Sequence, residues 1–351
     1  GFIVVTVKEK KKICNDLLSK QRGILMGISI LLIMLYHFTE DCHNSGVHFN
    51  GWVQFYYKYI HSSSVDTFLF LSGLGLYYSM KKNPDIMAFY RRRLTKILIP
   101  YVVIAFPAWI WKDLIFKKSG IYNFVKDFTF LSFKNGVKWY WYIFLILICY
   151  LIFPYIFRIV EHAKDSLEGE LHLLTLVGVY TVMLMGLKLY GGDTYGNFEI
   201  ALTRIPIFLA GCFYGRSSYE QRESYWKWGV IFIGCLAALY LFPADMPILN
   251  RYINGLLNVS ICAGLAVFFT KVNTGVVEKF LKWCGLHSLE LYLTHVTVRR
   301  IMISYGFHTS HYRYEGIMIG ISFVLAFLLA VVSRGLQKLI HIKRREDKGE
   351  K

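Results

Sequence analysis

The residue of this chain best suited to move a proton is His37. It stands near the end of the run Gly23-Ile-Leu-Met-Gly-Ile-Ser-Ile-Leu-Leu-Ile-Met-Leu-Tyr-His37. An imidazole titrates close to neutrality, so it can take a proton from a hydroxyl and return one to a leaving group. Glu40 and Asp41 follow within about a turn, and Asp66 opens the next apolar run. Any of these carboxylates would fix the ring tautomer and steady an imidazolium, as the carboxylate of a triad does. His37 and Asp66 are therefore the catalytic candidates. Glu40, Asp41, Cys42 and His43 are all metal-type donors. Contiguous donors at a helix end do not converge on an ion, so no metal is expected.

The run before His37 is apolar on every face of a helix, which fits burial in lipid or in a large core. Arg22 stands at its other end. Ionisable groups framing an apolar helix are costly in hydrocarbon. They mark a functional site unless both sit at the water interfaces. Arg91, Arg92 and Arg93 form a second basic group. Guanidinium forks grip phosphates bidentately, although the same cluster also suits topology and lipid headgroups. Ser72, Gly73 and Gly75 let helices approach closely, and packing is their first-choice role. Glu199 and Arg204 share one span, too far apart in register to pair directly. Arg204, just before Pro206, suits either a polar cavity or a snorkelling end position. His295, followed by Arg299 and Arg300, suits an interface or a cavity equally well.

Composition says what must hold these groups. The chain has 351 residues, 55% hydrophobic, 17% aromatic and only 18% charged, with mean hydropathy +0.41. That is too little polar surface for a protein in water, where about 25% charged residues are usual. The fold class expected is an all-α polytopic membrane protein of about ten transmembrane helices. Spans are read near 23–40, 65–80, 97–116, 139–157, 171–189, 199–215, 228–243, 251–270, 286–305 and 316–336. Residues 1–20 form a basic N-terminal arm, 21–337 the transmembrane domain and 338–351 a basic tail. The net charge of +17 is spread between and outside the apolar runs rather than along one stripe. That distribution speaks for anionic lipid and against nucleic acid. With both termini cytoplasmic, most of the 40 Lys and Arg lie on the cytoplasmic side. The 112–138 connection, rich in lysine, is the exception. The seven cysteines are scattered singly and read as buried thiols. No cleavable leader and no appended soluble domain are read, and a start at Gly1 suggests that upstream residues are missing.

With these segments in place, the pattern resembles acyltransferase family 3, the integral-membrane O-acetyltransferase-like proteins. Leu35-Tyr-His37-Phe resembles that family's first helix, and Ser64-Val-Asp66-Thr-Phe-Leu-Phe-Leu-Ser72-Gly73 its second-helix motif. Phe89-Tyr-Arg91-Arg92-Arg93-Leu-Thr-Lys-Ile-Leu-Ile-Pro100-Tyr resembles the basic motif and proline opening its third helix. Trp139-Tyr-Trp141-Tyr, Arg204-Ile-Pro206-Ile-Phe-Leu-Ala-Gly211 and Ser288-Leu-Glu290-Leu-Tyr292-Leu-Thr-His295 follow in the family's order. The resemblance implies transfer of an acyl group, usually acetyl, from cytosolic acyl-CoA to a hydroxyl of an envelope glycan or glycolipid. It also implies His37 as the catalytic residue and arginine contacts to the donor. The family commonly carries an arginine ten residues before the histidine, and Met26 stands there instead. Arg22 lies one turn earlier, rotated by about 60° relative to His37. Arg22 takes that role from nearer the cytoplasmic mouth, or Arg91 to Arg93 take it.

The expected mechanism places the CoA nucleotide among Arg22, Arg91, Arg92, Arg93 and Arg204, with the thioester reaching toward His37. The imidazole acts as base or as acyl carrier. The partners expected are acetyl-CoA or another acyl-CoA, a carbohydrate or glycolipid acceptor, and the lipid of the plasma or inner membrane. A homo-oligomer stays open. Trp52, Tyr56, Tyr57, Trp139 and Trp141 suit sugar stacking or an interfacial aromatic belt. The rival expectation is a non-enzymatic transporter of an anionic glycan or lipid precursor, using the same buried polar groups as a pathway.

Overall fold

The computed structural model describes residues 16–44, 51, 64–222, 225–242, 246–272, 274–307 and 312–347, with 312–315 and 341–347 described by their backbone alone. Among them every regular element is a helix. In chain order these are α1 (Leu17–Lys20), α2 (Arg22–Asn44), α3 (Ser64–Lys82) and α4 (Ile86–Ile110). A π-helical turn, Trp111–Phe116, ends α4; α5 (Ile121–Phe128) and a 3-10 turn, Leu131–Asn135, follow. Next come α6 (Trp141–His162), α7 (Ser166–Tyr190), α8 (Asp193–Leu202) and α9 (Ile205–Tyr219). The chain closes with α10 (Trp226–Leu241), α11 (Pro247–Lys271), α12 (Val276–Leu286), α13 (Ser288–Ser304) and α14 (Tyr312–Asp347).

Each of the ten apolar stretches read from the sequence lies mainly on helix among the described residues, the 199–215 stretch being broken at Thr203 and Arg204. Among the described residues seven helical stretches are long and apolar enough to cross a membrane, and Trp226–Leu241 is a shorter apolar helix. α3 and α13 are not among the seven. Both are interrupted by polar side chains, Asp66, Thr67 and Ser72 in one, Glu290, His295 and Arg299 in the other. These two helices sit inside the bundle, where such groups can be enclosed by protein rather than lipid.

α3 is central. Val65, Phe68, Leu69, Phe70, Leu71 and Leu74 are all buried, although they point in every direction around the helix. α9 lies so close to it that a Cβ on Gly211 would stand 2.1 Å from the Phe70 carbonyl oxygen. α12 approaches α2 in the same way, with a Cβ on Gly285 falling 1.9 Å from the Gly23 carbonyl oxygen. Without water to drive association, small residues that let backbones meet are what hold such helices together. α7 is the opposite case: Leu184 is its one buried side chain, and Leu174, Val182 and Met183 face outward.

Two polar anchors set the ends of the bundle. Tyr225 Oη accepts from the backbone N–H groups of Leu17 (2.6 Å) and Leu18 (3.1 Å) and donates to Asp16 Oδ1 at 2.8 Å. Burial and the Asp16 carboxylate push the Tyr225 hydroxyl up, so it stays protonated and able to donate. In the 112–138 connection, Lys112 is buried, paired with Asp113 (2.9 Å) and Asp127, with its ammonium 4.6 Å from the Trp109 ring centre. One lysine of that basic exception is therefore neutralised inside the protein. Cys14, Trp52, Tyr56, Tyr57 and most of the basic arm lie outside the described residues. Cys149, Cys212, Cys235, Cys262 and Cys284 are free, buried thiols, and Cys42 is buried as well.

Candidate active site

α2 and α13 cross so that the ring of His37 stacks on that of His295. Their centroids are 5.3 Å apart and their planes differ by 15°. His295 is 2% exposed, and among the described residues neither of its nitrogens has a hydrogen-bond partner. His37 keeps part of its surface accessible, while its Nδ1 is enclosed and also without a partner among the described residues. One face of the His37 ring is thus covered by protein.

The register of the two helices is fixed one turn further on. Arg299 Nε donates to Asp41 Oδ2 (2.6 Å), and its Nη2 donates to Asp41 Oδ1 (2.5 Å) and Glu40 Oε2 (2.6 Å). Tyr36 Oη donates to Glu40 Oε1 at 3.0 Å. Glu40 and Asp41, which the sequence offered as partners for the imidazole, therefore hold a guanidinium. Asp66 is ion-paired elsewhere too. Its Oδ1 lies 3.4 Å from Arg204 Nε, both side chains being buried. Arg204 stands where the chain breaks between α8 and α9. There its Nη1 donates to the Ile200 carbonyl (2.5 Å), and its guanidinium lies 5.0 Å from the Trp141 ring centre. A guanidinium at a helix break satisfies carbonyls that would otherwise be stranded in the membrane interior. Glu199 takes no part in this pair, as its separation from Arg204 implied.

A cavity of about 640 Å³ opens at the Arg22 end of the bundle. Arg22, Arg93, Lys96 and Lys282 bring four cations to it, against one carboxylate, Glu290. Deeper in, the walls turn apolar, through Met26, Ile30, Ile33 and Phe68. Ile33 and Tyr292 line its far end. They stand one turn before His37 on α2 and one turn before His295 on α13, so about 5.4 Å of helix separates the cavity from the stacked rings. Arg22 Nε donates to the Leu71 carbonyl (3.0 Å), which turns the guanidinium across α3.

The sequence-read residues divide accordingly. Arg22 and Arg93 line the cavity; Arg91 and Arg92 are exposed on the outer side of α4 and do not. Arg204 and Asp66 form a separate buried pair outside its lining. Met26, at the family's arginine position, contributes apolar wall. Lys96 and Lys282 were missed, because isolated lysines look like topology signals until helices are assembled. Ser72 and Gly75 line the cavity, whereas Gly73 packs on α9. Trp139 and Trp141 cover cations, Lys112 and Arg204 respectively. Among the described residues no three His, Cys, Asp or Glu side chains gather as they would around a metal ion.

The sequence pattern of the acyltransferase domain of family 3 matches residues 24–333. This chain belongs to that family. It is a multi-pass membrane acyltransferase for groups other than aminoacyl groups. No curated protein and no solved structure matches it.

Proposed function

We propose that this acyltransferase carries an acyl group, acetyl foremost, from acyl-CoA to a hydroxyl of an envelope glycan or glycolipid, across the plasma or inner membrane. The observation that carries the reading is the single cavity that joins four cations at one end to a histidine pair one turn beyond the other. Both termini are cytoplasmic in this reading, and the cation-lined mouth faces the cytosol. The nucleotide phosphates of the donor meet Arg22, Arg93, Lys96 and Lys282 there. Guanidinium forks and ammonium groups suit phosphate oxygens, and the apolar walls beyond suit a thin, mostly uncharged thioester arm. The side chains of Ile33 and Tyr292 must give way by a turn's length for the carbonyl to reach His37.

His37 then acts as base on the acceptor hydroxyl, or as the carrier of the acyl group between the two faces. A thiolate is a good leaving group, so positioning and proton transfer are the main requirements. Asp66 acts through Arg204 rather than on the imidazole, keeping that guanidinium charged and in place beside Trp141. The acceptor enters from the side opposite Arg22.

The test uses purified protein in lipid nanodiscs, acetyl-CoA labelled in its acetyl group, and an envelope glycan extract. Wild type is expected to label the glycan, and His37→Ala to bind acetyl-CoA without labelling. Equal labelling by the two proteins would defeat the catalytic role of His37. Failure of the wild type to bind acetyl-CoA would defeat the donor assignment.

A further inference from the structure

We propose that His295 is a second catalytic residue, whose imidazole N–H holds the oxygen of the acyl carbonyl while His37 handles the proton. This rests on the acyl-CoA reading above and goes beyond it by dividing the chemistry between two rings.

The first argument is one of satisfaction. A neutral imidazole carries one N–H donor and one acceptor nitrogen. In His295 both nitrogens are enclosed, and neither has a partner among the described residues. A buried donor without an acceptor forfeits its hydration with nothing in return, which is costly. Such a group is rare in a folded protein, and a catalytic role is one of the few reasons for it. The alternative of a charged imidazolium is costlier still, because no carboxylate is left for it. Glu40 and Asp41 are bonded to Arg299, one turn beyond His295 on α13. The ring is therefore a neutral donor in want of an acceptor.

The second argument is geometric. The N–H bonds of an imidazole lie in its plane, so two stacked rings cannot satisfy each other. With planes 15° apart, His37 and His295 both keep their nitrogens for a third molecule at their edges. The cavity ends one turn from both rings, so that molecule is whatever the cavity delivers. An acyl thioester brings the acceptor that His295 lacks, its carbonyl oxygen.

The step balances as follows. The acceptor hydroxyl gives its proton to His37, and its oxygen bonds to the carbonyl carbon. The carbonyl π pair moves onto oxygen, where the His295 N–H meets the developing negative charge. Collapse restores the carbonyl and breaks the carbon–sulfur bond. The CoA sulfur leaves with that pair and takes the proton from His37. A fixed donor aimed at charge that exists only in the transition state raises kcat without tightening substrate binding.

His295→Ala, His295→Gln and wild type are compared in nanodiscs for thermal unfolding, acetyl-CoA binding and steady-state transfer. The alanine variant is expected to lose about 100- to 1000-fold in kcat with KM for acetyl-CoA unchanged, the cost of removing one oxyanion donor. The glutamine amide can donate, so His295→Gln should recover part of that loss and keep the wild-type pH profile, which belongs to His37. An unaltered kcat in His295→Ala, or equal losses in both variants, overturns the inference while leaving the donor reading intact. A wild type that neither binds nor turns over acyl-CoA overturns both.

Discussion

The guanidinium of Arg22 occupies the space that a side chain at Gly75 would need: a Cβ on Gly75 would stand 2.7 Å from Arg22 Cζ and within 3.0 Å of both Nη atoms. With Nε tied to the Leu71 carbonyl, the two Nη groups make no hydrogen bond to the described residues and remain for a ligand. Gly75→Ala should displace the fork rather than the helix, because the clash is with the far end of a flexible side chain. KM for acyl-CoA should rise about tenfold, equivalent to about 1.4 kcal/mol, with the unfolding temperature little changed. Kinetics and a thermal melt of the same preparation check both halves.

The basic residues of α4 should separate by position. Arg93→Gln and Arg22→Gln each remove a charge from the cavity and should weaken acyl-CoA by about ten- to a hundredfold, since a hydrogen bond to a charged group is worth about 1.5–3 kcal/mol. Arg91→Gln and Arg92→Gln, on the exposed side, should leave affinity nearly unaltered. Titration of the four proteins with acyl-CoA decides it. A common loss across all four would point to surface charge instead of the cavity.

Arg299 predicts a stability effect. Removing one partner of a buried ionic cluster strands the other charges, at about 3–5 kcal/mol. Asp41 is 5% exposed, so Arg299→Gln should lower the unfolding temperature sharply. Adding Asp41→Asn to it should restore part of the loss, because the stranded carboxylate is then gone. Melts of the single and double variants provide the measurement.

The glycines that let backbones meet should tolerate no methyl group. A Cβ on Gly211 or Gly285 meets a backbone oxygen, which cannot step aside, so the helices must part. Gly211→Ala and Gly285→Ala should each destabilise by about 1–3 kcal/mol. Gly178 and Gly264 have open space around them, and alanine there should be neutral or slightly stabilising. Denaturation of the four variants side by side gives the contrast.

What the sequence by itself determined was local. Apolar runs of span length, their helical character, and the candidacy of His37 as the proton-moving group in the proposed reaction all follow from residue type and from neighbours within a few turns. The family followed from the order of short motifs. The tertiary structure decided everything that depends on register between helices far apart in the chain. His37 meets His295, Arg299 reaches Glu40 and Asp41 across 259 and 258 residues, and Asp66 goes to Arg204 rather than to the imidazole. Lys96 and Lys282 join Arg22 and Arg93 around one cavity, while Arg91 and Arg92 turn away from it. The reason is physical. Hydrophobic periodicity says that a helix is buried, but in a bundle apolar on nearly all faces it does not say which neighbour covers which face. That choice is made where glycines let two backbones close and where buried charges find opposite charges on other helices.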